Sequence, residues 1–495
     1  MTILETSVAI VGSGMGGATT AYGLAQAGID CLVIERGDFV KKEDANWSAR
    51  EIFINQKYKP NEKWLDEKGK SFTPGVHYIV GGNTKVYGSS LPRFRESDFQ
   101  EIKHKEGTSP AWPFTYQDLE PYYCQAEQLY KVHGATGEDP TEPPRSQPFP
   151  YPALTHEKYI SNLAAKLTAA GVKPHSNAMG VDLRSDGKCI RCATCDGFVC
   201  KLDAKSDAQT CALDPAMKTG KVKLETNLKV TQVVVKNGKV DHLLAQRDGQ
   251  EVKIIAKKYV LSLGAVNTAA LLLKSGSVAN SSGLLGKNFM MHNNAHIAAF
   301  NVKSKNDVIF QKTLSFSDWY FDGGSGYPLG VVQLIGKVQP IMMKSYATMV
   351  PLALLKFIAN RSVEFVVMNE DLPATSNRVE IASNGMIQIH RKAVNTSAHK
   401  ELMQKTKKVL RKCGFQAIFV QPFDISMNSH QCGTSVAGHD PKLSVVDQYC
   451  KAHDVENLYL IDGGFFPSSA AMNPALTIAA QALRVVDKSG LKQFN

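Results

Sequence analysis

Ser7 to Arg36 reads SVAIVGSGMGGATTAYGLAQAGIDCLVIER, and the rest of the chain is organised around it. Ser7 to Val11 is a short apolar, β-branched run of the kind that forms a strand buried on both faces of a parallel sheet. Gly12, Gly14 and Gly17 then give G-x-G-x-x-G at the turn into a helix. The first glycine permits the tight turn, the second lets a pyrophosphate approach the backbone, and the third lets helix pack on strand. Phosphates belong on the free N–H groups and positive end of such a helix. Gly28 ends the helix, Cys31 to Ile34 supplies a second strand, and Glu35 stands at its tip, where an acid accepts a ribose hydroxyl. A glycine pattern alone is weak, but this strand, helix, strand, acid order predicts a dinucleotide site rather than a merely structural turn.

Working outward, a chain of 495 residues is too long for one compact core, so two or three domains are expected. Hydrophobic content of 43% and charged content of 21% are those of a soluble globular protein and exclude wholesale disorder. A net charge of +11 implies mild attraction to anionic surfaces. No basic block interleaved with aromatics marks a nucleic-acid reader. No charged and apolar leader precedes the first strand, so a cytoplasmic location is expected. In that compartment 10 cysteines point to thiols or a metal before a disulfide framework.

Val80 to Ser90, VGGNTKVYGSS, is a second glycine-rich loop whose backbone can approach a flat ring closely; on local grounds an ordinary surface turn is an equal reading. A proline-rich connector from Pro140 to Pro152 is the clearest candidate domain boundary. Beyond it, Cys189, Cys192, Cys195 and Cys200 form a C-x-x-C-x-x-C-x-x-x-x-C array that could hold zinc or an iron–sulfur cluster. Its last gap is longer than in the ferredoxin run and no proline follows, so a loop held by packing or by an adventitious disulfide is the favoured reading and metal the less favoured one. Val260 to Ala265 is a second strand that opens through Gly264 into a helix. The run MMKSYATMVPLALLKFIAN, residues 342–360, is interrupted by Pro351 and Lys356 and is too short to span a bilayer. A core helix is expected there, with a membrane-touching or lid segment as the second reading. Near the end, Asp462 follows a buried strand, and Asn473-Pro474 precedes a helix whose first turn carries Thr477 and could stabilise negative charge.

With these residues in order, the chain resembles the glucose-methanol-choline (GMC) oxidoreductases, FAD-dependent alcohol oxidases and dehydrogenases. The resemblance rests on the fingerprint with Glu35, Gly81-Gly82 leading to Arg93 and Asp98-Phe99, Leu263-Gly264-Ala265, and Leu285 to His292. It continues through Glu370-x-x-Pro373, Asn377-Arg378-Val379, His430-x-x-Gly433-Thr434 and the block from Asp462 to Arg484. It implies that His430 is the catalytic base and Asn473 its partner. It also implies that Gly12, Gly14, Gly17 and Glu35 hold the adenosine end of FAD, with Val233 offering a backbone contact to adenine. The flavin end would meet Gly81, Gly82, Asn83, Thr84, Gly264, Asp462, Gly463, Asn473, Pro474 and Thr477. Val86 stands where some members carry a histidine bonded to FAD, so the cofactor is expected to be non-covalent. His292 and His439 read as framework of the cofactor domain.

The resulting expectation is an α/β protein. A Rossmann-like FAD domain would be built from residues 1–130, 205–300 and 440–495, and a substrate domain with an antiparallel sheet and helices from 131–204 and 301–439. It would oxidise a small-molecule alcohol, sugar or polyol-like before sterol or long-chain, passing electrons to O2 or another carrier. An imidazole suits removal of the hydroxyl proton as hydride leaves the carbon. The rivals are a lyase that keeps FAD without redox use, and an electron-transfer subunit with an iron–sulfur cluster. Peripheral membrane contact is not favoured.

Overall fold

The opening run forms the strand Thr2–Val11, whose last residues, Val8 to Val11, are buried. This computed structural model describes residues 2–427 and 429–494. Cys31–Ile34 pairs in parallel on one side of the opening strand and Gln250–Leu261 on the other. Val222–Glu225 extends the sheet beyond Cys31–Ile34, and Leu458–Leu460 joins in parallel beside Tyr259 to Leu261. Lys229–Lys236 and Lys239–Arg247, a hairpin turning at Asn237-Gly238, complete a seven-stranded sheet. The strands that end at Val11, Ile34, Leu261 and Leu460 all finish at one edge, the edge at which open α/β sheets bind ligands.

Helix Met15–Gln26 runs back over this sheet and packs against the closing helix Ala475–Lys488. The turn into this helix and its approach to the sheet depend on glycine. Gly12 has φ +99°, and a Cβ there would lie 2.4 Å from the Ser262 carbonyl oxygen; at Gly17 it would lie 1.9 Å from the carbonyl of Gly12.

A second, six-stranded antiparallel sheet runs in the order Ala417–Pro422, Asn293–Phe300, Ser362–Asn369, Val331–Leu334, Leu314–Phe316, Pro174–Ser176. Alternation sorts its faces. Ile297, Ala299, Val363, Phe365 and Val367 join a core with Leu402 and Leu410 of helix Thr396–Lys412. Asn294, Val366, Met368 and Gln333 look the other way, into a cavity. The strand Asn293–Phe300, placed by sequence at the end of a cofactor-domain segment, therefore belongs to this second sheet, because its antiparallel partners lie at 362–369 and 417–422.

Residues 342–360 do not form the expected core helix. They fall on two short surface helices, Pro340–Lys344 and Leu352–Ala359, joined by an exposed turn. Pro351 fixes the break, and only Leu355 and Ala359 turn fully inward. Among the described residues, no helix is long and apolar enough to cross a membrane.

Candidate active site

A cavity of about 950 Å³ extends from Glu35, at the tip of Cys31–Ile34, to the inner face of the six-stranded sheet. Gly12, Gly14, Gly82, Asn83, Thr84, Gly264, Asp462 and Gly463 line it, and so do His430, Asn473 and Pro474. Glu35 accepts hydrogen bonds from Ser13 N (3.1 Å), Ser13 Oγ (2.6 Å) and Gly37 N (3.0 Å). A carboxylate has about four acceptor sites, so one remains for a ligand hydroxyl. Ser13 Oγ in turn accepts from Gly81 N at 3.0 Å, which ties the fingerprint to the second glycine loop.

Whether these residues fit a dinucleotide can be tested on the glycines. A Cβ built on Gly14 meets nothing within 4 Å, while one on Gly82 would lie 3.3 Å from the Gly14 Cα. The two loops thus come together at these glycines, and Gly14 opens onto free space beside backbone N–H groups, a cradle that suits a pyrophosphate. Asp462 is fixed below it by Thr268 Oγ1 (2.5 Å), Gly264 N (3.1 Å) and Gly464 N (2.8 Å), and burial raises its pKa. The residues present fit FAD.

Four sequence-predicted cofactor residues do not reach the cavity wall. Gly17 and Gly81 act in packing and in the turn, Gly81 with φ +89°. Thr477 Oγ1 is engaged by Tyr123 OH at 2.7 Å. Val233 donates its N–H to Ser275 Oγ at 2.9 Å, and Leu228 to Thr231 form the wall instead. The strand carries a register shift between Val230 and Gln232, beside this stretch of wall.

At the opposite end, His430 Nδ1 lies 2.8 Å from His292 Nδ1, and His292 Nε2 lies 2.9 Å from the Ser469 carbonyl oxygen. A carbonyl only accepts, so His292 carries its proton on Nε2 and presents a bare Nδ1. That nitrogen accepts from His430 Nδ1–H, and the tautomer so selected leaves the lone pair of His430 on Nε2. Burial, and then the neighbouring His292, push the His430 pKa down to about 3; burial pushes His292 down to about 4. Both rings are neutral at physiological pH, the state a base requires. His292 reads as framework in sequence because it is 138 residues from His430; only the pairing of Met290-Met291 with Gln431-Cys432 brings them together.

The cavity that His430 lines also carries two buried amide oxygens that accept no hydrogen bond from the described residues, Asn473 Oδ1 and Asn294 Oδ1. Asn294 was legible in principle, as a polar residue inside the apolar strand NNAHIAAF. Lys312 and Asp196 also line the cavity and pair at 2.5 Å. Asp196 comes from the cysteine loop. The cysteines of that loop are free thiols, and among the described residues no group of three or more His, Cys, Asp or Glu is arranged to hold a metal ion.

Residues 7–294 and 370–482 match the N-terminal and C-terminal patterns described as GMC oxidoreductase. The chain is 27% identical to the 6'''-hydroxyparomomycin C oxidase of Streptomyces lividus, over 96% of this chain and 90% of that protein. It is 27% identical to the 2-methyl-1,2-propanediol dehydrogenase of Mycolicibacterium austroafricanum, over 98% of this chain and 95% of that protein. The crystal structure of pyridoxine 4-oxidase from Mesorbium loti shares the fold, with a TM-score of 0.69 and 16% identity over 98% of this chain and 99% of that one.

Proposed function

The chain belongs to the GMC oxidoreductase family and is an FAD-dependent oxidoreductase acting on hydroxyl groups, and from that premise we propose that it oxidises a sugar or polyol-like alcohol to a carbonyl with His430 as base. The observation that carries this reading is the meeting of His430, Asn473 and Asn294 on one cavity whose far wall is the glycine fingerprint. Relatives named as a hydroxyparomomycin oxidase and a propanediol dehydrogenase favour a substrate with several hydroxyls over a sterol or long-chain alcohol.

FAD would be held without a covalent bond, with Val86 at the position of the linking histidine. Gly14 and Gly82 would cradle its phosphates, Glu35 its ribose, and Asn83, Thr84, Asp462 and Gly463 its remaining length. Bound FAD supplies a two-electron acceptor that takes a hydride from the carbinol carbon. His430 Nε2 takes the hydroxyl proton, and Asn473 donates an Nδ2–H to the same oxygen as its charge grows. Asn294 Oδ1 accepts from a second substrate hydroxyl. Residues 1–130, 205–292 and 440–495 would form the cofactor domain, and 131–204 with 293–439 the substrate domain. O2 or another carrier then takes the electrons.

The test is anaerobic flavin absorbance with a panel of sugars, polyols, sterols and long-chain alcohols, followed by reoxidation with O2 or a dye. Bleaching by polyols first supports the reading. Bleaching by sterols or long-chain alcohols alone overturns the substrate class, and no bleaching by any alcohol points to a lyase.

A further inference from the structure

Helix Leu352–Ala359 is apolar at every position but Lys356 yet lies on the surface. Its inward face is satisfied by Leu355 and Ala359, which are buried, and the helix packs on the strand Ser362–Asn369. Its outward face is not: Leu352, Leu354 and Phe357 are 48%, 49% and 40% exposed, and the turn before it adds Tyr346 at 53% and Met349 at 92%. A helix of this composition normally has a partner on both sides. Contiguous exposed apolar groups on this scale mark an interaction surface.

Within this segment the charge has one sign, although buried Glu364 acts on Tyr346 from the strand behind. Between Asp322 and Glu364 there is no Asp or Glu, while Lys337, Lys344, Lys356 and Arg361 fall inside that interval. Arg361 stands over the Phe357 ring at 4.1 Å and donates to the Val302 carbonyl, so the loop carrying exposed Val302, Lys303 and Lys305 adjoins the patch; Asp307, also exposed, follows that loop. Lys344 ties the exposed turn together by donating to the Val350 carbonyl at 2.7 Å. The same segment reaches the active site, because Met342 lines the cavity.

We propose that residues 340–361 dock on an anionic lipid surface, with Met349, Leu352, Leu354 and Phe357 entering the headgroup boundary and Lys356, Arg361, Lys303 and Lys305 meeting acidic headgroups. Apolar insertion beside cations is the chemistry of interfacial binding. Docking there seats one wall of the cavity against the bilayer while the catalytic end stays inside the protein.

The holoenzyme is floated with vesicles of phosphatidylcholine alone or of phosphatidylcholine with phosphatidylglycerol. It is expected to float with the acidic vesicles only and to be released as salt is raised. Lys356→Ala should weaken binding about fivefold. Leu352→Glu with Phe357→Glu should abolish flotation while flavin reduction by a water-soluble alcohol stays at the parent rate, which shows that the fold is intact. The proposal is overturned if the acidic vesicles float no protein, if neutral vesicles bind equally well, or if the double variant still floats. It is equally overturned if that variant converts a dimer to a monomer, since the patch would then bind a second copy.

Discussion

Replacing His292 with phenylalanine removes the acceptor at 2.8 Å from His430 Nδ1 while keeping a ring of similar size in a buried site. The parent arrangement runs from the Ser469 carbonyl through His292 to His430 and leaves the His430 lone pair on Nε2. Taking a buried acceptor away from an N–H costs about 1–3 kcal/mol. His430 relieves that cost by moving its proton to Nε2, the tautomer that cannot take a proton from a substrate. With about 1.4 kcal/mol per factor of ten, flavin reduction should slow about 10- to 100-fold. The assay is anaerobic stopped-flow reduction at saturating substrate, with bound FAD measured by absorbance and the fold by thermal melting. His292→Asn provides the internal control. Its Oδ1 can stand where Nδ1 stood and should restore much of the rate, which a purely space-filling role for His292 would not predict. A His292→Phe protein that keeps its FAD and its melting temperature, and reduces flavin at the parent rate, refutes the tautomer argument.

The cradle is tested by a pair of alanines. Gly14→Ala meets nothing within 4 Å and should leave the apoprotein's melting temperature unchanged while weakening FAD binding by about tenfold or more in ultrafiltration; Gly16→Ala, whose Cβ would lie 1.9 Å from the Ile461 carbonyl oxygen, should fail to fold. Stability should depend on pH through the histidine pair. The folded rings hold pKa values near 3 and 4, whereas the unfolded chain binds protons from about 6.5 downward, so stability is whole above pH 6.5 and declines as pH falls toward 4. The slope is up to about 1.4 kcal/mol per pH unit for each ring, and urea titrations at several pH values should show it flattened in His430→Gln. Asn294→Leu should raise KM for a polyol about tenfold, with little change for a simple primary alcohol, because only the polyol brings a second hydroxyl to Oδ1; equal effects on both would remove Asn294 from substrate binding.

The nucleotide half of the fold was legible because its signals are steric. Gly12 and Gly17 sit where a Cβ would strike a carbonyl, and no other residue type can stand there. The strand that ends at Ile34 is fully buried and the one that ends at Leu261 is buried over Tyr259 to Leu261, with an acid or a glycine soon after the tip, which periodicity detects well. What escaped depends on geometry that one residue cannot reveal. The Val233 N–H is taken by Ser275 Oγ, so Leu228 to Thr231 form the wall, and a hydroxyl such as that of Thr477 turns inward to Tyr123 instead of outward. His292 acquires its role through a strand pairing across more than a hundred residues. Residues 342–360 read as core because apolar composition signals burial without saying against what, and here Met349, Leu352, Leu354 and Phe357 stay exposed.

The central claim is that His430 takes the substrate's proton in a site completed by Asn473. The most direct measurement is single-turnover anaerobic flavin reduction in His430→Ala with the best polyol or sugar from the panel, at matched FAD content. The account predicts a rate lower by about 10²- to 10⁴-fold, the usual contribution of a positioned base. A His430→Ala enzyme that binds FAD and reduces it at the parent rate contradicts the account.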